Sequence, residues 1–185
     1  TDGTPTMAAG LGARVVTAAK GRGVQLRAGA MAARGEWLLF LHADTRLAEG
    51  WAARVAGFIA NPANLGQAAA FRFCLDNDKP WARRLEALIE RRSRWLGLPT
   101  GHQGRLISRP FSDSLGGYPD LPSMEDIEMI GRIGGERLRA LPIAAVNPAA
   151  RYQGEGWWKC MMRDAVCVGL WFVGVPATRV ARLRH

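Results

Sequence analysis

Four apolar residues in a row, Leu38-Leu39-Phe40-Leu41, stand between Glu36-Trp37 and the polar turn His42-Ala43-Asp44-Thr45. An unbroken apolar run of this length predicts a strand buried on both faces, central in its sheet. Burying an unpaired carboxylate is costly, so Asp44 is expected where the strand emerges, with a partner close by. Beyond it the period changes. Trp51, Val55, Phe58 and Ile59 fall at i, i+4, i+7 and i+8, which predicts an amphipathic helix. Ala68 to Leu75 reads as a second strand. Trp81, Leu85, Leu88, Ile89, Trp95 and Leu96 then stripe a longer helix whose other face holds Arg83, Arg84, Arg91, Arg92 and Arg94. Ile127, Ile130 and Ile133 stripe one more, and a further strand lies near Leu141 to Val146. Before the apolar run, Thr4-Pro5 reads as a helix start, Arg14 to Thr17 as a short strand, and the stretch 20–35 as a helix carrying Val24, Leu26 and Met31.

Helices alternating with buried strands predict an α/β layered sheet in one domain over residues 1–185, with a helical C-terminal segment from about residue 157. Ligands of open α/β sheets bind beyond the carboxyl ends of the strands, where Asp44 is expected.

Composition narrows this. With 48% hydrophobic and 22% charged residues the chain is not a disordered one. A net charge of +9 and a pI near 10.7 call for an anionic partner, and arginine suits bidentate contacts to phosphate. Cys74, Cys160 and Cys167 lack CxxC spacing, which speaks against a disulfide framework or a zinc site and for a reducing cytosol. The opening TDGTPTMAAG has neither the basic nor the apolar region of a signal peptide. The apolar segment 165–177 is too short to span a membrane but long enough for a core or interfacial helix.

Three stretches carry candidate chemistry. His42-x-Asp44 at a strand end pairs an imidazole with a carboxylate and suits a divalent ion against phosphate oxygens; equally, Asp44 or Thr45 can organise the turn. Ser123-x-x-Asp126 matches a capping box opening the Ile127 helix, while the adjacent acids Glu125 and Asp126 also suit a positioned general base. Glycines in LGGYPD (115–120) and GHQG (101–104) mark turns able to bring backbone close to a ligand. The glycines of KGRG (20–23) fit neither a Walker A nor a GxGxxG pattern. The arginine-rich helix reads as a solvated face, and without aromatic interleaving nothing supports nucleic-acid binding.

TDGT at the start, GRGVQ, LLFLHADTRL, GLPTGHQGRLISR, LGGYPDLPSMEDIEM and the late Ala150-Arg151-Tyr152 occur in the order of the family-two glycosyltransferases. The sequence resembles that family, and most nearly the bacterial branch described as radical-SAM/selenodomain-associated transferases. The resemblance implies a GT-A-like, three-layer α/β/α fold with a mostly parallel mixed sheet. It implies an inverting transfer of a sugar, of hexosyltransferase type, from a nucleotide-diphospho-sugar to an unidentified acceptor hydroxyl. A divalent metal, Mn or Mg, would sit on Asp44 with His42 beside it, where the family has Asp-x-Asp. Asp126 would be the general base, paired with Glu125. Arg22, Gln25, Asp2, His102, Gln103 and Arg151 would bind substrate, Arg22 against the diphosphate. His102 stands where the family has aspartate, Arg27 where asparagine is usual and Tyr152 where tryptophan is usual. The family's first strand and base-binding acid would precede Thr1, so a fragment is expected.

The expected setting is cytoplasmic, at the inner face of the membrane. Trp157, Trp158, Trp171 and Phe172 would serve as surface anchors, with Arg179, Arg182 and Arg184 following as a basic tail. Two other readings stand beside this one: a sugar nucleotidyltransferase, which would need a GxGxR-like loop, and a non-catalytic basic module on an anionic membrane or polymer.

Overall fold

The computed structural model describes residues 2–184. In chain order the elements are α1 (Thr4–Gly10), α2 (Arg22–Ala32), β1 (Trp37–Phe40), β2 (Arg46–Leu47), α3 (Trp51–Ile59), β3 (Ala68–Leu75) and α4 (Pro80–Leu96). After them come β4 (Arg105–Ser108), α5 (Arg109–Ser114), α6 (Glu125–Ile133), β5 (Leu138–Asn147), α7 (Ala150–Glu155), α8 (Trp157–Phe172) and α9 (Ala177–Arg184). Short 3-10 turns cover Pro62–Asn64, Gly101–Gln103 and Gly135–Arg137.

The five strands form one mixed sheet in the order β1-β4-β3-β5-β2. β3 and β5 pair in parallel, and the other pairings are antiparallel. Hence β1, β3 and β5 run one way, but β4 stands between β1 and β3, so fewer neighbours are parallel than the expected sheet implied. The β3–β5 ladder skips two residues of β5, pairing Phe71 with Leu141 and Arg72 with Ala144. Pro142, which has no N–H for a ladder, falls in that bulge.

Successive side chains of a strand point to opposite faces, and each face here has its own apolar cover. Leu38, Ala68 and Ile107 pack with Phe111 of α5 and Met129 and Ile133 of α6. Ala69, Phe71 and Leu106 pack on the other side with Val55 of α3. Further along β3, Phe73 and Leu75 meet Ala82, Leu85 and Ile89 of α4, with Tyr152 and Cys160. Three layers result, as expected.

Three expectations need correction. The run Leu38 to Leu41 is not central: β1 lies at one end of the sheet order, only Leu38 of it is fully buried, and Leu41 lies outside the strand at 37% exposure. Its free edge has no neighbouring strand among the described residues. Arg14 to Thr17 forms no strand for the same reason, because a strand needs a partner for its backbone groups; Val15 and Val16 are exposed. The α4 stripe is narrower than its periodicity implied: Ala82, Leu85 and Ile89 are buried, whereas Leu88 is half-exposed and Trp95 is exposed.

Candidate active site

The turn after β1 places His42 and Asp44 beside His102, which the 3-10 turn at Gly101–Gln103 carries in from the other side of β4. One ligand atom from each of the three lies within 4.8 Å of the others. The His42 and His102 rings stand 4.2 Å apart between centroids, and His42 Nδ1 lies 4.0 Å from Asp44 Oδ1. His102 is held neutral: burial, with the cationic Arg22 and the His42 ring nearby, lowers its pKa to about 4. Two neutral-capable imidazoles and a half-exposed carboxylate make a donor set that fits a divalent metal. The sequence points to His42 and Asp44 for this role and to His102 for substrate; the structure brings all three together.

Arg22, the first residue of α2, faces this cluster and the acids of α6 at once. Its Nε lies 2.8 Å from Glu125 Oε1, its Nη2 3.5 Å from Asp126 Oδ2, and Nη2 also contacts His42 Nε2. Glu125 is buried at 1% side-chain exposure, while Asp126 keeps 17%. Of the two acids, Asp126 is the one a substrate can reach. Arg22 thus holds the acids here, in addition to any anion it meets.

The capping box is not made. Met124, not Ser123, is the N-cap of α6, in a left-handed conformation at φ 65°, and no side chain caps the helix. A buried non-glycine residue in that conformation costs about 1–3 kcal/mol, a strain that persists where the surroundings over-determine it. The helix starts one residue later than the box requires, and Asp126 Oδ2 lies 3.5 Å from Arg22 Nη2.

Gly101 explains why the loop must carry glycine. A Cβ there would fall inside contact distance of Asp126 Oδ2 and 3.1 Å from His42 Nε2. The Asp126 carboxylate and the His42 imidazole therefore converge on one bare backbone position.

The remaining candidates separate. Gln25 lines a cavity with Arg22, His42 and Asp126, and Arg151 lines another with Arg22, His42 and His102. Arg151 also pairs with Asp164 at 3.3 Å. Gln103 points away from any substrate: its amide donates to the Phe71 carbonyl at 2.9 Å and accepts from Ser93 and from the Thr100 N–H. Asp2 is exposed at the start of α1, accepting from the Thr4 N–H at 3.1 Å, and is not brought to the cluster.

Three residues escaped the sequence reading. Arg105, buried at the head of β4, donates to the Asp126 carbonyl at 3.4 Å and to the Tyr118 hydroxyl at 3.5 Å. Burial raises the Tyr118 pKa, so that phenol stays protonated. Asn147, at the end of β5, ties Thr45 to the His102 loop. Arg105 and Tyr118 lie within the family-like stretches GLPTGHQGRLISR and LGGYPDLPSMEDIEM, and Asn147 at the end of an apolar run.

The sequence model of the family described as "Glycosyl transferase family 2" matches residues 1–116. The match contains His42, Asp44 and His102, and ends before Glu125 and Asp126. No curated protein matches the chain, and no solved structure does.

Proposed function

We infer that this chain, which belongs to glycosyl transferase family 2, is an inverting, metal-assisted glycosyltransferase of hexosyltransferase type. The family supports a glycosyltransferase acting on nucleotide sugars, with the GT-A-like α/β fold. The observation that carries it is the convergence of Asp126 and His42 on Gly101, which sets a reachable carboxylate beside a metal-ligating cluster.

Asp126 Oδ takes the proton of the acceptor hydroxyl. The hydroxyl oxygen bonds to the anomeric carbon as the bond from that carbon to the diphosphate oxygen breaks, and the nucleoside diphosphate leaves with the electron pair. Glu125 and Arg22 position Asp126. His42, Asp44 and His102 would hold a divalent ion, which when bound neutralises the departing diphosphate. Gln25 and Arg151 border the site on either side and bind substrate.

We further propose that the reaction runs in the cytoplasm, at the inner membrane face. On α8, Trp158, Met162 and Val166 are exposed at four-residue intervals and Phe172 continues the apolar surface, whereas the expected anchors Trp157 and Trp171 pack partly against the core; Lys159, Arg179 and Arg182 supply positive charge toward anionic lipid. No helix among the described residues is long and apolar enough to cross a membrane. Flotation with anionic vesicles at low salt tests this contact; protein left at the bottom of the gradient refutes it.

The metal assignment is tested by calorimetric titration of nucleoside diphosphates with and without manganese. Manganese should tighten binding in the wild type but not in Asp44→Asn. An unchanged manganese effect in that variant removes the cluster from the mechanism.

A further inference from the structure

Next to Asp126 lies a cavity of about 240 Å³ between α4, α6 and α8. One end is polar, with Asp126, Glu125, Arg22, Thr100 and the His42 and His102 imidazoles around Gly101. Elsewhere its walls are dominated by apolar side chains, among them Leu85, Leu88 and Ile89 of α4 and Met161 and Val168 of α8. Leu88 lines the cavity and is also 45% exposed, so the space reaches the surface between α4 and α8.

The two charged groups among the apolar walls, Arg92 and Asp164, are already engaged. Arg92 Nε donates to the Leu98 carbonyl at 3.0 Å, and Asp164 pairs with Arg151 at 3.3 Å. A sugar or peptide acceptor would bury hydroxyls or amides against Leu85, Ile89 and Val168, where they meet no partner. An apolar body loses nothing there, and an apolar cavity gains dispersion contacts when filled.

Resting on the glycosyltransferase reading, we propose that the acceptor is an alcohol with an apolar body, its hydroxyl at Asp126 and its body between α4 and α8. At about 30 Å³ per water-sized group, the cavity takes roughly eight non-hydrogen atoms. A longer chain continues past Leu88 to the surface. Such an alcohol is either a small soluble molecule or the hydroxyl end of a lipid.

The test is ligand-observed NMR titration on the full chain. The probes are 2-phenylethanol, farnesol in phosphatidylcholine vesicles, and methyl glucoside as the polar control. Binding of 2-phenylethanol assigns the soluble source, binding of vesicle farnesol alone assigns the lipid, and methyl glucoside should bind neither better nor equally well. Leu88→Trp fills the mouth and should weaken alcohol binding at least about tenfold. Should that variant melt early, Ala165→Trp blocks the same space from an exposed position on α8. Unchanged alcohol affinity in a folded blocking variant, or methyl glucoside binding as tightly, overturns the proposal. Manganese-dependent nucleoside diphosphate binding is measured alongside. If that persists while no alcohol binds, the cavity assignment fails alone; if it is absent, the metal-assisted reading on which the proposal rests fails.

Discussion

The Thr45 hydroxyl donates to the side-chain oxygen of Asn147 at 2.7 Å. The same amide donates to the His102 carbonyl at 3.1 Å, so one buried residue at the end of β5 ties together the two loops that carry His42, Asp44 and His102. Partners of this kind orient metal ligands and typically govern affinity by about 10–100-fold. Asn147→Ala should therefore weaken manganese binding by about that factor and cost about 1–3 kcal/mol through the buried groups left unpaired. Manganese titration and denaturant unfolding check the two effects separately; a stability loss with full metal affinity would make Asn147 a fold residue only.

Arg22 is the counter-cation of the buried Glu125. Removing one partner of a buried pair typically costs about 3–5 kcal/mol, and the 40% exposure of Arg22 places Arg22→Gln at the low end. Adding Glu125→Gln should recover part of that loss, because the uncompensated charge is gone. If the double variant is as unstable as the sum of the singles, the pair is not coupled as described.

His102 carries a pH dependence of definite sign. Its folded pKa, about 4, lies below the ordinary 6.5, chiefly through burial. Between those values the unfolded chain binds a proton that the folded chain refuses, so stability falls as pH drops from about 6.5 to 4. The full loss is on the order of 3 kcal/mol. Melting curves of metal-free protein at pH 7.5 and 4.5 should show it, and His102→Asn should remove that component. An equal acid-induced fall in the variant would assign the effect to other groups.

Gly101→Ala places a methyl group against Asp126 Oδ2. The carboxylate must swing away, so transfer activity should fall by an order of magnitude or more while nucleoside diphosphate binding survives; misplacement by an ångström can cost about 100-fold. Wild-type turnover by Gly101→Ala would mean that Asp126 does not work from this position.

Much of the scaffold was legible. β3 runs over Ala68–Leu75 as its apolar run implied, and Ile127, Ile130 and Ile133 are buried along α6. Such elements are decided by local periodicity. Arg14 to Thr17 and the burial of β1 depended on neighbouring strands, which periodicity does not report. Within the site, the His42-x-Asp44 turn and the Glu125-Asp126 pair were visible as motifs. The Arg22–Glu125 pair and the Asn147 bridge were not, because their partners are distant in sequence and meet only in the folded chain. Ser123-x-x-Asp126 had the spacing of a cap, yet the left-handed Met124 overrode it.

The central claim is that Asp126 takes the acceptor's proton. With the capping role gone, Asp126→Asn removes no helix cap, and the amide keeps the shape of the carboxylate. General-base assistance is typically worth about 100- to 10,000-fold. Single-turnover sugar transfer by Asp126→Asn, measured beside its melting curve and its manganese-dependent nucleoside diphosphate binding, is the most direct test. A loss of transfer in that range, with binding intact and melting little changed, is the expected result. Transfer at the wild-type rate would contradict the mechanism.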